Sequence, residues 1–201
     1  MNTPRRLLVK GAKKLTKLGL ITGSEGNVSL RQGEKIFTTP TGVLKDDLAP
    51  EDIVVVDPEG RCLSGGKPSS ELLMHLNIYR RRKEIKAVVH AHPPFTLALD
   101  LAGYAFDEFY LVEAALFLKK IAVVPFALPG TPDLPNQMEP YLDQTNVFVL
   151  SRHGAVTLGK DLEQALNLMC ILEQVSRVTW LAKTLRPKLP PLSPEIAKKM
   201  L

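Results

Sequence analysis

Short runs of β-branched and aliphatic residues alternate along this chain with stretches whose apolar residues recur every three to four positions. A strand repeats every two residues and a helix every 3.6, so a chain that keeps switching between the two periods is read as a mixed α/β fold. Leu7, Leu8, Ala12, Leu15 and Leu18 mark a first helix, and Leu162, Ala165, Leu166, Met169 and Leu172 mark the longest one, over 161–185. Residues 28–31 and 35–38 read as a hairpin around Gly33, and 53–57 as a strand ended by the turn Asp57-Pro58-Glu59-Gly60. Residues 121–125 and 146–150 read as buried strands. Neither a repeat nor a linker interrupts the pattern, so one α/β domain with several antiparallel strands is expected.

The 45% hydrophobic fraction suffices for one core in 201 residues, and no apolar run approaches the roughly 18–20 residues of a membrane span. Residues 1–20 are basic and hold no acid, but their apolar positions have helical spacing and form no continuous apolar stretch. They read as a first helix rather than a secretory leader. Cys62, in an expected loop, and Cys170, in a helical pattern, lie far apart and form no C-x-x-C pair, which fits a reducing cytoplasm. The net charge of +5 is densest at Arg80-Arg81-Arg82-Lys83, where no aromatic interleaving or nucleic-acid motif accompanies it. That run reads as a solvated helix end, and neither nucleic acid nor membrane is expected as a partner. A tail over 186–201 holds four prolines.

His90-Ala91-His92 follows an apolar run and precedes Pro93-Pro94. On a strand both imidazoles face one side, Ala91 faces the other, and Pro93 ends the strand just past the second ring. This is a chelating pattern at a strand end. His153, after the strand over 146–150 and before Gly154, offers a third imidazole, and three neutral imidazoles leave a coordination position open, the catalytic pattern for Zn²⁺. In Lys67-Pro68-Ser69-Ser70-Glu71, a helix reaching to about residue 82 is expected to begin at Ser69 or Ser70, whose hydroxyls and free amides suit an anion or simple capping. Glu71 would then lie in the first turn as a base or metal ligand, and His75, on its face, reads as structural or as a support behind the site's own groups. Gly26-Asn27-Val28-Ser29 and Thr39-Pro40-Thr41-Gly42 are either turns or phosphate-facing loops.

Taken in order, G-N-V-S at 26–29, T-P-T-G at 39–42, P-S-S-E at 68–71, H-A-H at 90–92, P-F-A-L-P-G-T at 125–131 and H-G at 153–154 resemble the class II aldolase/adducin-head family. The resemblance implies a single three-layer α/β/α domain over 1–201 with a central, largely antiparallel mixed sheet. It implies His90, His92 and His153 as ligands of a divalent metal, zinc or another. Asn27, Thr41, Gly42, Ser69 and Ser70 would bind the phosphate of a small phosphorylated sugar, and Glu71 would be the catalytic acid/base that also contacts the metal. A homotetramer with sites between neighbouring subunits is implied as well. The expected reaction is reversible aldol cleavage of a ketose 1-phosphate resembling L-fuculose 1-phosphate, to dihydroxyacetone phosphate and an aldehyde. The pentulose-phosphate 4-epimerase branch typically carries Asp where Glu71 stands, which favours the aldolase or the related methylthioribulose-1-phosphate dehydratase. Family aldolases place a mid-chain and a tail tyrosine at the aldehyde end; here Tyr110 is one position from the first, where Leu111 stands, and no tyrosine follows Tyr141. Glu113 is a further candidate from that segment. A non-catalytic adducin-like interaction module is the opposing expectation, and the presence of Glu71 with all three histidines speaks against it.

Overall fold

The computed structural model describes residues 3–193 together with Glu195 and Lys199. Eight strands, β1 (Asn27–Gln32), β2 (Lys35–Thr38), β3 (Val54–Val56), β4 (Cys62–Ser64), β5 (Ala87–Ala91), β6 (Ala122–Val124), β7 (Val147–Leu150) and β8 (Gly154–Gly159), join in one sheet. Their order is β4-β3-β2-β1-β5-β8-β7-β6, and every neighbouring pair is antiparallel except β6 with β7. The helices are α1 (Pro4–Lys17), α2 (Leu72–Arg81), α3 (Pro94–Leu101), α4 (Asp133–Met138) and α5 (Leu162–Leu185).

Strand alternation splits the core into two layers. Val28, Ala87, Val89, Ala91, Val147 and Ala155 face α1 and α5, packing on Leu8, Ala12, Leu15, Leu162, Ala165 and Met169. Ile36, Val88, Phe148, Val156 and Leu158 face the other way, onto Met74, Ile78, Leu134 and Met138 of α2 and α4. The three-layer mixed sheet is thus the predicted one. The hairpin, the first helix and the longest helix also stand where the periodicity puts them; Asp161 caps α5 by accepting from the Gln164 N–H at 2.8 Å.

Several details differ from the sequence reading. Leu18 lies beyond the last turn of α1 and is half exposed, so the buried stripe ends at Leu15. Cys62 belongs to the exposed edge strand β4, not to a loop. β8 was not anticipated: Arg152, at φ 59°, turns the chain straight back from β7. The histidine strand ends at Ala91, one residue earlier than expected, and Pro93-Pro94 starts α3, with Pro94 at a position where a missing N–H costs nothing. The basic run is only partly solvated: Arg82 donates to the Leu142 carbonyl and the Asn146 side chain, and Arg81 pairs with Asp143. Among the described residues no helix is long and apolar enough to cross a membrane.

A buried acid ties α5 to the element behind the histidine strand. Glu173 accepts from the N–H groups of Phe95 and Thr96 at 2.9 and 3.0 Å and from the Thr96 hydroxyl at 3.0 Å. These are orphan donors of the first turn of α3. Glu173→Ala strands the two N–H groups, while the Thr96 hydroxyl keeps Ser176 Oγ at 3.0 Å, and about 3 kcal/mol of stability should be lost in urea denaturation. A loss under about 1 kcal/mol would mean that water replaces the carboxylate there.

Candidate metal centre

Three elements bring the histidines together. His90 is in the middle of the sheet on β5, on the face toward α2, and is fully buried. His92 has already left the ladder: the strand ends at Ala91, and the His92 N–H bonds instead to the Leu20 carbonyl at 2.8 Å. His153 sits in the turn between β7 and β8, its N–H bonded to the Leu150 carbonyl at 3.0 Å. The ring centroids are 4.8 to 5.4 Å apart. One ligand atom from each histidine lies within 4.8 Å of the other two, and among the described residues this is the group that could hold a metal ion.

The hydrogen bonds assign the ring nitrogens. His90 donates from Nδ1 to the Ala155 carbonyl at 3.0 Å, and His92 donates from Nδ1 to Glu25 Oε2 at 3.1 Å. Both Nε2 atoms are then bare lone pairs, yet they face each other at 3.2 Å. Two acceptors that close repel unless a cation lies between them, so the donor set fits a divalent metal. Burial pushes His153 down to about 4 and lowers His92 as well, so these two imidazoles present lone pairs at neutral pH.

Glu71 completes the cluster. Its Oε2 lies 3.1 Å from His90 Nε2 and accepts from Asn27 Nδ2 at 2.9 Å, and its Oε1 lies 3.4 Å from His153 Nε2. Burial alone would raise this carboxyl; attraction to His90, then to His153, with the Asn27 hydrogen bond, holds it below the usual carboxylate range. Oε1 is buried with no hydrogen-bond partner, as is His153 Nδ1. An orphaned carboxylate oxygen beside three imidazoles is available to a cation or to a proton on a bound molecule.

α2 begins later than expected, at Leu72, with Glu71 at its cap position. Ser69 caps a separate turn just ahead of the helix: its hydroxyl accepts from the Glu71 N–H at 3.2 Å and its carbonyl from the Leu72 N–H at 3.1 Å. That turn aims Glu71 back at β5. The other loops converge on the same place. The Thr39 N–H bonds to the Val28 carbonyl and its hydroxyl accepts from the Val28 N–H; the Ser69 N–H reaches the Thr39 carbonyl, and the Thr41 N–H the Lys67 carbonyl. Thr41, Gly42, Ser69 and Ser70 are therefore side by side, Ser70 and Gly42 exposed, and Gly130 of the P-G-T loop packs against Ser70. Asn27 differs: it is 4% exposed, and its amide is committed to Glu71 and to His75.

Gly26 makes the crossing possible. Its φ is 61°, and a Cβ would stand 2.9 Å from the His90 carbonyl oxygen. Glu25 and Lys45 were missed by sequence reasoning. Lys45 is fully buried and donates to the Ser24 carbonyl at 2.8 Å and the Val43 carbonyl at 3.1 Å, bracing the loop that carries Glu25 and Gly26. Neither residue lies in a pattern that announces such a contact. Glu113 is exposed on a shallow groove beside Leu111, Cys170 and Ile171 and does not join the histidines. Tyr110 bonds to Glu108, with the Lys183 ammonium 4.9 Å from its ring centroid.

The mixed sheet carries, between β5 and the β7–β8 turn, a cluster of three histidines and one glutamate that could hold a metal ion. Residues 6–180 match the family model for the class II aldolase and adducin N-terminal domain, and the chain belongs to that family. It is 33% identical over 176 residues to the 5-methylthioribulose-1-phosphate/5-deoxyribulose-1-phosphate aldolase of Rhodospirillum rubrum, covering 88% of this chain and 80% of that one. It is 39% identical over 158 residues to the L-fuculose phosphate aldolase of Methanococcus vannielii, covering 79% and 85%. Among solved structures, YgbL of Escherichia coli, for which an aldolase, epimerase or decarboxylase activity has been suggested, superposes with a TM-score of 0.90 at 27% identity, over 98% of this chain and 96% of that one.

Proposed function

We propose that this chain, as one domain, is a divalent-metal-dependent aldehyde-lyase that reversibly cleaves a ketose 1-phosphate to dihydroxyacetone phosphate and an aldehyde. The observation that carries the reading is the Glu71 carboxylate, with one oxygen bonded to Asn27 and the other orphaned beside three imidazoles. Both relatives with aldolase names support it, since their named substrates are phosphorylated sugars. His90, His92 and His153 would hold the ion, zinc being the species this donor set favours. When bound, it supplies positive charge where negative charge develops on the C2 and C3 oxygens of the ketose.

In the cleavage direction the Glu71 carboxylate, ionised at rest, takes the C4 hydroxyl proton while the C3–C4 bond breaks and its electron pair passes to C3 as the aldehyde departs. Glu71 Oε1 delivers the proton that C3 then takes, and removes it again in the condensation direction. The hydroxyls of Thr41, Ser69 and Ser70 and the N–H groups of Gly42 and Ser70, with the second Nδ2 hydrogen of Asn27 behind them, would grip the phosphate and hold C3 against Glu71. A homotetramer completes the reading, supported by the exposed apolar side chains of Leu116, Phe117, Phe126 and Leu128, and the two free cysteines suit a cytoplasmic location.

The test is release of dihydroxyacetone phosphate, measured by a coupled assay over L-fuculose 1-phosphate, 5-methylthioribulose 1-phosphate and 5-deoxyribulose 1-phosphate. Cleavage of at least one is expected, abolished by a chelator and restored by added zinc. Loss of water without chain cleavage would make the protein a dehydratase instead. Epimerisation alone, or release of carbon dioxide from a phosphorylated keto acid, would equally overturn the aldolase reading.

A further inference from the structure

Behind Glu71 lies a line of four buried polar side chains, three of which neither metal nor phosphate binding requires. His75 and Tyr79 are four residues apart on α2 and point at the sheet; Asn27 and Ser29 are two apart on β1 and point at the helix. The spacings match because four helical residues rise about 6 Å and two strand residues about 6.6 Å. Asn27 is also the direct cross-strand partner of His90. None of the four is more than 4% exposed.

Their hydrogen bonds run in one direction only. The Glu71 carboxylate can only accept, so Asn27 Nδ2 donates to it at 2.9 Å and leaves Oδ1 pointing the other way. That oxygen must be met by a donor, which makes His75 Nε2 carry the hydrogen. Burial drives His75 down to about 3, so the ring is neutral and Nδ1 is an acceptor, filled by the Ser29 hydroxyl at 2.6 Å. The Ser29 oxygen in turn accepts from the Tyr79 hydroxyl at 2.8 Å. With the hydrogen on Nδ1 instead, His75 would set a lone pair against Asn27 Oδ1; the amide would flip and present oxygen to the carboxylate.

The geometry points to His75 as a positioning residue for Glu71: clamped by Ser29 and Tyr79, it orients Asn27 so that Oε2 is held and Oε1 is left free for the reacting carbon. An amide does not pass protons along, so the line is a clamp and not a proton wire. The inference rests on the reading of Glu71 as the proton-transfer group.

Two measurements on the zinc-loaded protein decide it. Long-range ¹⁵N–¹H NMR of the imidazoles should find His75 neutral with its hydrogen on Nε2; an Nδ1–H or doubly protonated ring overturns the clamp. In the phosphoketose assay, His75→Leu should lower kcat by about 100-fold with KM and bound zinc per chain unchanged. His75→Gln, whose amide can donate to Asn27 and accept from Ser29, should recover most of that loss. Undiminished kcat in His75→Leu, or parallel loss of kcat and zinc, overturns the role. Should His75→Leu not fold, Ser29→Ala carries the same expectation at smaller size. A wild-type protein that cleaves no phosphoketose removes the aldolase reading, while the NMR result still judges the clamp.

Discussion

Glu71→Gln should retain zinc at the wild-type stoichiometry and lose turnover by about 10²–10⁴-fold. The amide keeps the shape of the carboxylate, and its oxygen can still accept from Asn27 Nδ2, the bond that now fixes Oε2. The three imidazoles are untouched, so the metal should stay. What disappears is the basic oxygen, buried and unpartnered as Oε1 is here, that can take and return a proton. Metal content by mass spectrometry and the dihydroxyacetone-phosphate assay check the two halves separately. Near-normal turnover would remove Glu71 from the chemistry, and loss of zinc with turnover would make it chiefly a ligand.

Gly154→Ala should cost zinc affinity by more than tenfold and stability by about 1–3 kcal/mol. An added Cβ would stand 2.6 Å from the Ala91 carbonyl oxygen, 2.7 Å from His92 Cδ2 and 2.9 Å from His90 Cε1. The first obstacle is backbone held in the β5–β8 ladder, where Ala91 pairs with Ala155, so the strand cannot yield without unpairing. The other two are the rings that would hold the ion. Zinc competition against a chromophoric chelator measures the affinity, and chemical denaturation measures the stability. Gly66→Ala, where a Cβ meets nothing within 4 Å, is the control and should behave as wild type. Unchanged zinc affinity in Gly154→Ala would mean that the two rings do not crowd this position when the metal is bound.

Part of the site could be read from local pattern. His90 follows from strand alternation, but β5 stops at Ala91, short of the proline, and His92 is held outside the ladder by its bond to the Leu20 carbonyl. His153 is a turn residue whose proximity depends on β8 folding back beside β5, and nothing local encodes that pairing. Glu71 was expected in the first turn of a serine-capped helix; its aim at the histidines instead comes from the extra turn capped by Ser69. The convergence of residues 26–29, 39–42 and 68–71 is a set of backbone bonds between loops distant in sequence, and motif order alone could only suggest it. Asn27 shows the limit best: as a residue in a glycine turn it reads as an anion contact, while the fold commits its amide to Glu71 and His75.

The sequence by itself determined the alternation of helix and strand, the faces each would bury and the imidazoles able to chelate, because these follow from side-chain period and chemistry. Only the tertiary structure decided which carboxylate oxygen is held and which is free, and which nitrogen His90 and His92 leave bare. Those are set by hydrogen bonds between residues dozens of positions apart, among them Asn27 to Glu71 and His90 to Ala155, and such bonds exist only once the sheet has closed.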